Sequence, residues 1–379
     1  MSVQPVVSIV KCKDYDEGRV YGAVVEALEP LGGMNGFVSP EDRVLIKPNL
    51  LCDSPPERHV TTHPSVVTAV ARLVKEAGGR PVIGDSPGLA PFHKAAKTAG
   101  FEEAAARAGA ELAPFKNSVS VTLPPGATFK EIEVASEVVE ADKVINLPKL
   151  KTHVQMSLTL GIKNMFGCVI GKRKSQWHLM AGKDRVYFAR MIVDIFSAVT
   201  PALTIMDGVT AMHRDGPQNG EPYPMGLVFA ANDAVALDAA ITWMVGLTPD
   251  KNPVLAAAID RGLGCGDMTD IWFPGIHPKD AQQKGFVIPG QTELEIGPGF
   301  LRPYLRRHLV PKPVTDHNRC TLCNKCKAVC PPGVITTANE RIAINYDNCI
   351  HCFCCVEICP EGAMELHRSF LSKVVSKMQ

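Results

Sequence analysis

The sequence lacks an excess of either charge. Its 40 Lys and Arg face 39 Asp and Glu across 379 residues, a formal net charge of +1. No field of one sign points toward nucleic acid or an anionic membrane. A membrane-length apolar run is also missing: the nearest, 225–247, is interrupted by Asn232, Asp233 and Asp238. Residues 1–14 hold only a short apolar stretch and no basic leader, so no signal peptide is expected. Nucleotide signatures are absent. There is no G-x4-G-K-[ST] run, and the glycine-dense 262–266 is too short and in the wrong context for G-x-G-x-x-G, so no NAD or FAD is expected. No Ser-His-Asp signature stands out. Of the 13 cysteines, Cys12, Cys52, Cys168, Cys265 and Cys354 are scattered without a pairing pattern, which gives no disulfide framework.

The other eight cysteines are the strongest signal. Residues 320–331 read C-T-L-C-N-K-C-K-A-V-C-P, and 349–360 read C-I-H-C-F-C-C-V-E-I-C-P. Each half is C-x2-C-x2-C-x3-C-P, the run that binds [4Fe–4S] clusters in bacterial two-cluster ferredoxins. Three closely spaced thiolates reach one cube, and the fourth ligates the other. The expected sets are Cys320, Cys323, Cys326 and Cys359 for one cluster, and Cys349, Cys352, Cys355 and Cys330 for the second. Paired C-x2-C units also make zinc ribbons, but here each half carries four cysteines in one unbroken run followed by proline. Only one of Cys354 and Cys355 fits the spacing, and Cys355 also leaves x3 before Cys359. Thiolate clusters and free thiols point to a reducing compartment, the cytoplasm.

At this length two or three domains are expected. The first 300 residues alternate strand and helix: a strand at 6–10, a helix at 20–28, strands at 42–48, 81–84, 131–135 and 143–147, and helices at 65–77 and 92–108, the last interrupted near Gly100. Ser65 or Thr62 is the expected cap of the second helix. This argues an α/β fold, a mainly parallel sheet covered by helices, followed by a small α+β ferredoxin-like domain. The expected division is 1–300 for the α/β domain, 301–312 for a basic linker, 313–366 for the cluster domain and 367–379 for an amphipathic tail. That tail packs back on the large domain or docks on a partner or membrane surface.

Parallel sheets bind ligands beyond the carboxyl ends of their strands. That rule selects Lys47 and Asn49, Asp85 and Ser86, Asn146, Lys149 and Lys151, Asp207, and Asn232 with Asp233. Residues 147–171 show no long period and read as a glycine-rich loop. Such a loop would gather Lys149, Lys151, His153 and Lys163 around an anion, or else be a solvated basic connection. Residues 207–221 read as a second polar loop. Cys168 is a thiol participant or a buried structural cysteine.

The large domain resembles the family of unknown function named DUF362. The resemblance rests on Ile46-Lys-Pro-Asn49, Thr62-His-Pro64, Gly84-Asp-Ser-Pro-Gly88, 146–153 (N-L-P-K-L-K-T-H), 161–167 (G-I-K-N-M-F-G), Met206-Asp-Gly208, and Asn232-Asp233 with Asp238. It implies kinship without a reaction. The ferredoxin likeness implies two [4Fe–4S] clusters and one-electron transfer.

Three functions follow. In a redox enzyme, electrons reach an anionic substrate or cofactor held by Lys47, Asn49, Asp85, Lys149, Lys151 and Lys163, with His153 or Asp85 moving protons. In a non-enzymatic carrier or accessory protein, the large domain docks on a partner metalloenzyme. In a ligand-binding protein, the clusters are structural or sense oxygen. A closed lysine-lined pocket favours the first, a broad exposed surface the second. A redox partner protein is expected; nucleic acid and an integral membrane segment are not.

Overall fold

A computed structural model describes residues 4–171, 173–289, 298, 300 and 310–369. The large sheet takes its strands from Val7–Lys11 (β1), Arg43–Pro48 (β2), Arg80–Ile83 (β3), Glu111–Leu112 (β4), Lys143–Leu147, Lys149–His153, Ser157–Thr159, Leu203–His213, Glu221–Tyr223 and Leu227–Ala231. Between β4 and Lys143, Ser118–Thr122 (β5) and Glu131–Ala135 (β6) form a separate antiparallel hairpin, so 131–135 does not join the large sheet. The later strands are then β7 (Lys143–Leu147), β8 (Lys149–His153), β9 (Ser157–Thr159), β10 (Leu203–His213), β11 (Glu221–Tyr223) and β12 (Leu227–Ala231). Along the main path the order is β1-β12-β10-β7-β2-β3-β4.

The pairs β10–β7, β7–β2, β2–β3 and β3–β4 are parallel. β12 runs antiparallel to both β10 and β1. The fold is thus a mixed sheet with a parallel centre. Its central strands β2 and β7 are buried along almost their whole length and mostly apolar, because both faces are covered. One face packs on Glu17–Leu28, Pro64–Glu76 and Phe101–Ala108. Arg185–Val199 and Pro253–Asp260 pack with the β5–β6 hairpin in a second core, and Ala234–Met244 in a third. The helices at 92–98 and 101–108 are divided by Gly100 at φ +77°, a conformation that glycine adopts without strain.

Two segments read as loops are regular. In 147–171, β8, β9 and the short helices Gly161–Asn164 and Met165–Cys168 replace the expected glycine-rich loop. Pro148 interrupts the chain between β7 and β8, and its carbonyl accepts from Asp207 N at 3.0 Å. Every residue of β8 is buried, lysines included, so no alternation of apolar and polar residues announces it. Likewise β10 runs on through Asp207 to His213 between β8 and β12, leaving only 214–220 as loop.

Helix Pro64–Glu76 is capped by neither Ser65 nor Thr62. The His63 ring Nδ1 accepts from Ser65 N, and Pro64 takes the first position, where no N–H is needed. Thr62 Oγ1 instead accepts from Asn49 N at 2.9 Å and donates to Leu147 O at 2.6 Å, tying the β2 and β7 exits together.

Beyond the large sheet, Lys312–Thr315 (β13) pairs with Met364–His367 (β16), and Ile335–Ala338 (β14) with Arg341–Ile344 (β15). The one-turn helices Lys325–Val329 and Cys354–Glu357 lie between these strands in the chain. Among the described residues no helix is long and apolar enough to cross a membrane. Residues 301–309 of the expected linker and 370–379 of the expected tail lie outside the described residues.

Candidate functional site

The parallel strands β2, β3 and β7 end on one edge of the sheet. Asn49 follows β2 there, Asp85 follows β3 by two residues, and β8 continues past β7 along β10. This edge forms the floor of a cavity of about 120 Å³. Asn49, Asp85, Lys151, His153 and Lys163 all line it. Lys47 and Lys149 do not.

Lys47 stands behind Asp85, its Nζ 3.0 Å from Oδ1. Asp85 also accepts from Ser86 N at 2.8 Å and Leu50 N at 2.9 Å, so its carboxylate is held on several sides. Gly167 presses on this pair: a Cβ there would lie 2.3 Å from Asp85 Oδ1 and 2.5 Å from Lys47 Nζ, which explains the glycine at a helical position. Lys149 belongs to a separate buried cluster. Its Nζ lies 2.8 Å from Asp207 Oδ2 and 2.6 Å from the Tyr15 hydroxyl, while Tyr15 donates to Asp207 Oδ1 at 2.8 Å. Burial opposes the Asp207 charge, but Lys149 outweighs it and holds the carboxyl low.

Asn232 and Asp233 also lie elsewhere. Because β12 is antiparallel to β10, its carboxyl end, Ala231, pairs with Thr204 at the start of β10, on the opposite edge. There Asn232 accepts from Val6 N, and Asp233 caps Ala234–Met244. Asp238 has a different task. It accepts from Gly161 N at 2.7 Å and Ile162 N at 3.0 Å, fixing the short helix that carries Lys163 and Asn164.

The electrostatics follow from enclosure. Burial pushes Lys151 down to about 7 and Lys174 to about 8, and it lowers Lys163 as well. His153 is neutral and its tautomer is fixed. Its Nδ1 accepts from the amides of Gln155 at 3.1 Å and Met156 at 3.2 Å, so Nε2 carries the hydrogen. Burial holds it at about 4, and His178 likewise. Cys168 is wholly buried and pushed up to about 12, which leaves it no thiolate.

The opposite wall comes from the cysteine-rich segment. His153 Nε2 meets Glu357 Oε1 at 3.0 Å, and Val329, Cys354 and Ile358 line the same cavity. Polar groups of the large sheet's loops bind the backbone beside this wall. Asn219 Nδ2 donates to Val356 O at 3.1 Å, Gln218 Nε2 to Cys359 O at 3.3 Å and Arg58 Nη1 to Pro360 O at 2.8 Å. Sequence reasoning did not nominate Glu357, Cys354, Thr159 or His178 for the site. Glu357, Cys354 and His178 fall at no strand end, and Thr159 ends β9, a strand that the sequence pattern did not reveal, so nothing in the spacing marks them.

Behind the wall are two smaller cavities. One is lined by Cys320, Cys323, Cys326 and Cys359, the other by Cys330, Cys349, Cys352 and Cys355. Among the described residues no three Cys, His, Asp or Glu side chains close on a single ion position. The thiols ring a space instead of a point, which suits a cube of several irons and not one zinc. The two halves repeat in backbone detail. Leu322 and Asn324 flank Cys323 at φ 53° and 58°, and His351 and Phe353 flank Cys352 at φ 54° and 59°. Four non-glycine residues held in the left-handed region cost roughly 1–3 kcal/mol each. The strain is balanced only where the loop shape is needed. Cys354 belongs to neither ring and faces the large cavity.

These features define an iron–sulfur protein of the ferredoxin type joined to an α/β unit. A 4Fe–4S dicluster domain matches residues 312–360. The family described as Domain of unknown function (DUF362) matches residues 44–243, and the chain belongs to it. A Synechocystis sp. protein named thylakoid-associated protein sll1697 is 40% identical over 283 residues, 75% of this chain and 87% of that one. The lactate racemase apoprotein from Thermoanaerobacterium thermosaccharolyticum overlays 54% of this chain and 50% of its own, with a TM-score of 0.34 and 15% identity.

Proposed function

We propose that this chain takes electrons from a redox partner protein and delivers them to a small anion held in the cavity between the α/β unit (1–300) and the cluster domain (313–366). One observation carries the reading. The cavity has lysines from β8 and from the helices that follow it on one side, and on the other the helix that contains Cys355 and leads into Cys359. The donor and the site of use share a wall.

Cys320, Cys323, Cys326 and Cys359 would hold one [4Fe–4S] cluster, and Cys330, Cys349, Cys352 and Cys355 the second; the two four-cysteine cavities support this. Such a cluster exchanges one electron at a time. The chain's own residues do the rest. Lys151, Lys163 and Lys174 attract the anion and offset charge that builds on it. Lys151, at about 7, holds or gives a proton near neutral pH, as a general acid must. Asp85 and His153 are committed to fixed partners and orient the floor. A concave pocket lined by Lys151, Lys163 and Lys174 supports an enzyme over a carrier that docks through a broad face. We place the protein in the cytoplasm, where thiolates stay reduced.

The test is anoxic purification with iron, sulfide and bound-anion analysis. About eight irons per chain, and an anion lost from a Lys151→Ala/Lys163→Ala double variant that keeps its iron, would support the reading. Zinc in place of iron, or undiminished anion binding, would overturn it.

A further inference from the structure

Three asparagines run in a line toward the cavity. Asn146 on β7 donates its Nδ2 to the Gly161 carbonyl at 2.9 Å. A carbonyl can only accept, so this end fixes which way the Asn146 amide faces. Its Oδ1 then accepts from Asn164 Nδ2 at 2.8 Å. Asn164 Oδ1 in turn accepts from Asn49 Nδ2 at 2.9 Å. Each amide settles the orientation of the next. The line ends at Asn49 Oδ1, an acceptor that cannot be turned into a donor without breaking one of the hydrogen bonds behind it.

Asn49 lines the cavity, and its Oδ1 is buried without a hydrogen-bond partner among the described residues. A buried acceptor in that state is costly, and in native proteins it is rare. Thr159 Oγ1, His178 Nδ1 and, apart from its contact with His153, Glu357 Oε1 are further buried atoms of the lining without a hydrogen-bond partner among the described residues, Thr159 and His178 being 4% and 6% exposed. The cavity therefore asks for more than negative charge. Its lysines supply donors for an anion, while Asn49 asks for a donor in return.

Size narrows the class. A cavity of about 150 Å³ admits a six-carbon ring, and this one is about 120 Å³. The part of the occupant held inside it has on the order of five or six non-hydrogen atoms.

Resting on the anion-site reading above, we propose that the cavity selects a compact oxyanion that itself carries an O–H or N–H, which it donates to Asn49 Oδ1. The isosteric anion without that hydrogen is rejected, because it leaves the end of the amide line buried and unpaired.

Calorimetric titration of the iron-loaded protein under anoxic conditions tests this with two isosteric pairs. Inorganic phosphate and sulfate are both tetrahedral five-atom anions, but only phosphate keeps a hydrogen at pH 6.5. Glycolate and propionate differ in the same way among carboxylates. The expected result is a preference of about tenfold or more for the donor-bearing member of whichever pair binds. For phosphate it would hold although sulfate carries at least as much charge. Asn49→Ala should level the pair while the visible spectrum is unchanged. Equal or tighter binding of the donor-free member would overturn the amide-line proposal and leave the anion site standing. Binding of neither pair would overturn the anion site, and this proposal with it.

Discussion

Glu357 Oε1 lies 3.0 Å from His153 Nε2, so a carboxylate of the cluster segment closes a basic cavity built by the large sheet. Burial works against that charge, but the His153 hydrogen and the Lys163 ammonium hold the carboxyl below the usual range. The carboxylate offsets part of the lysines' attraction for any anion. Glu357→Gln keeps the shape and removes the charge. Anion affinity should tighten about tenfold, or 1.4 kcal/mol, with iron content unchanged. Titration calorimetry checks it, and weaker binding would mean that Glu357 orders the lysines instead of opposing the ligand.

Anion affinity should fall as pH rises through neutrality. Burial lowers Lys151 from 10.5 to about 7, and only its charged form attracts an anion. Lys174 follows at about 8. Stability of the unliganded protein should move the other way. Between about 7 and 10.5 the unfolded chain still binds the Lys151 proton that the folded chain has released, so the unfolding free energy rises with pH. Dissociation constants and denaturation midpoints measured from pH 6 to 9 should therefore both rise, the first marking weaker binding and the second greater stability. Lys151→Met should make both slopes shallower, leaving the part due to Lys174.

The cysteines sort by ring. Cys320→Ser and Cys349→Ser should each lose about four irons of about eight, with matching sulfide. Cys354→Ala, outside both rings, should keep all of them. Loss of iron from the Cys354 variant would move the ligand assignment by one residue.

Lys149 separates stability from binding. Lys149→Met leaves Asp207 buried without its ion pair, at a cost of about 3–5 kcal/mol. The loss should appear in denaturation, while anion affinity stays within about twofold of the parent chain. A large loss of affinity would return Lys149 to the binding site.

Much of this was legible in the sequence, and what was not has physical causes. The cysteine runs declare themselves because thiolate spacing is dictated by the size of the group they surround. The parallel centre declared itself through the apolar runs at 43–48 and 143–147. The strand β8 did not, because its lysines and histidine are buried by pairing with Asp207, the Val60 carbonyl and Glu357. A polar residue paired from a distant part of the chain looks, in sequence, like one facing water. The rule of strand ends chose Asn49, Asp85 and Lys151 well for the cavity, but it misplaced Asn232 because sequence does not reveal that β12 runs backwards. The amide line from Asn146 to Asn49 joins residues 18 and 115 positions apart, and no local pattern records it.

Helix Cys354–Glu357 is one turn long, yet it supplies Cys355 to a ring, Glu357 to the cavity and the Val356 carbonyl to Asn219. A single turn has little stability of its own. Its shape is set by what grips it from either side. If the ring holds a cluster as proposed, maturation and ligand capture are joined: the wall of the cavity would be completed as iron arrives, and would loosen, with its ligand, when the cluster is lost.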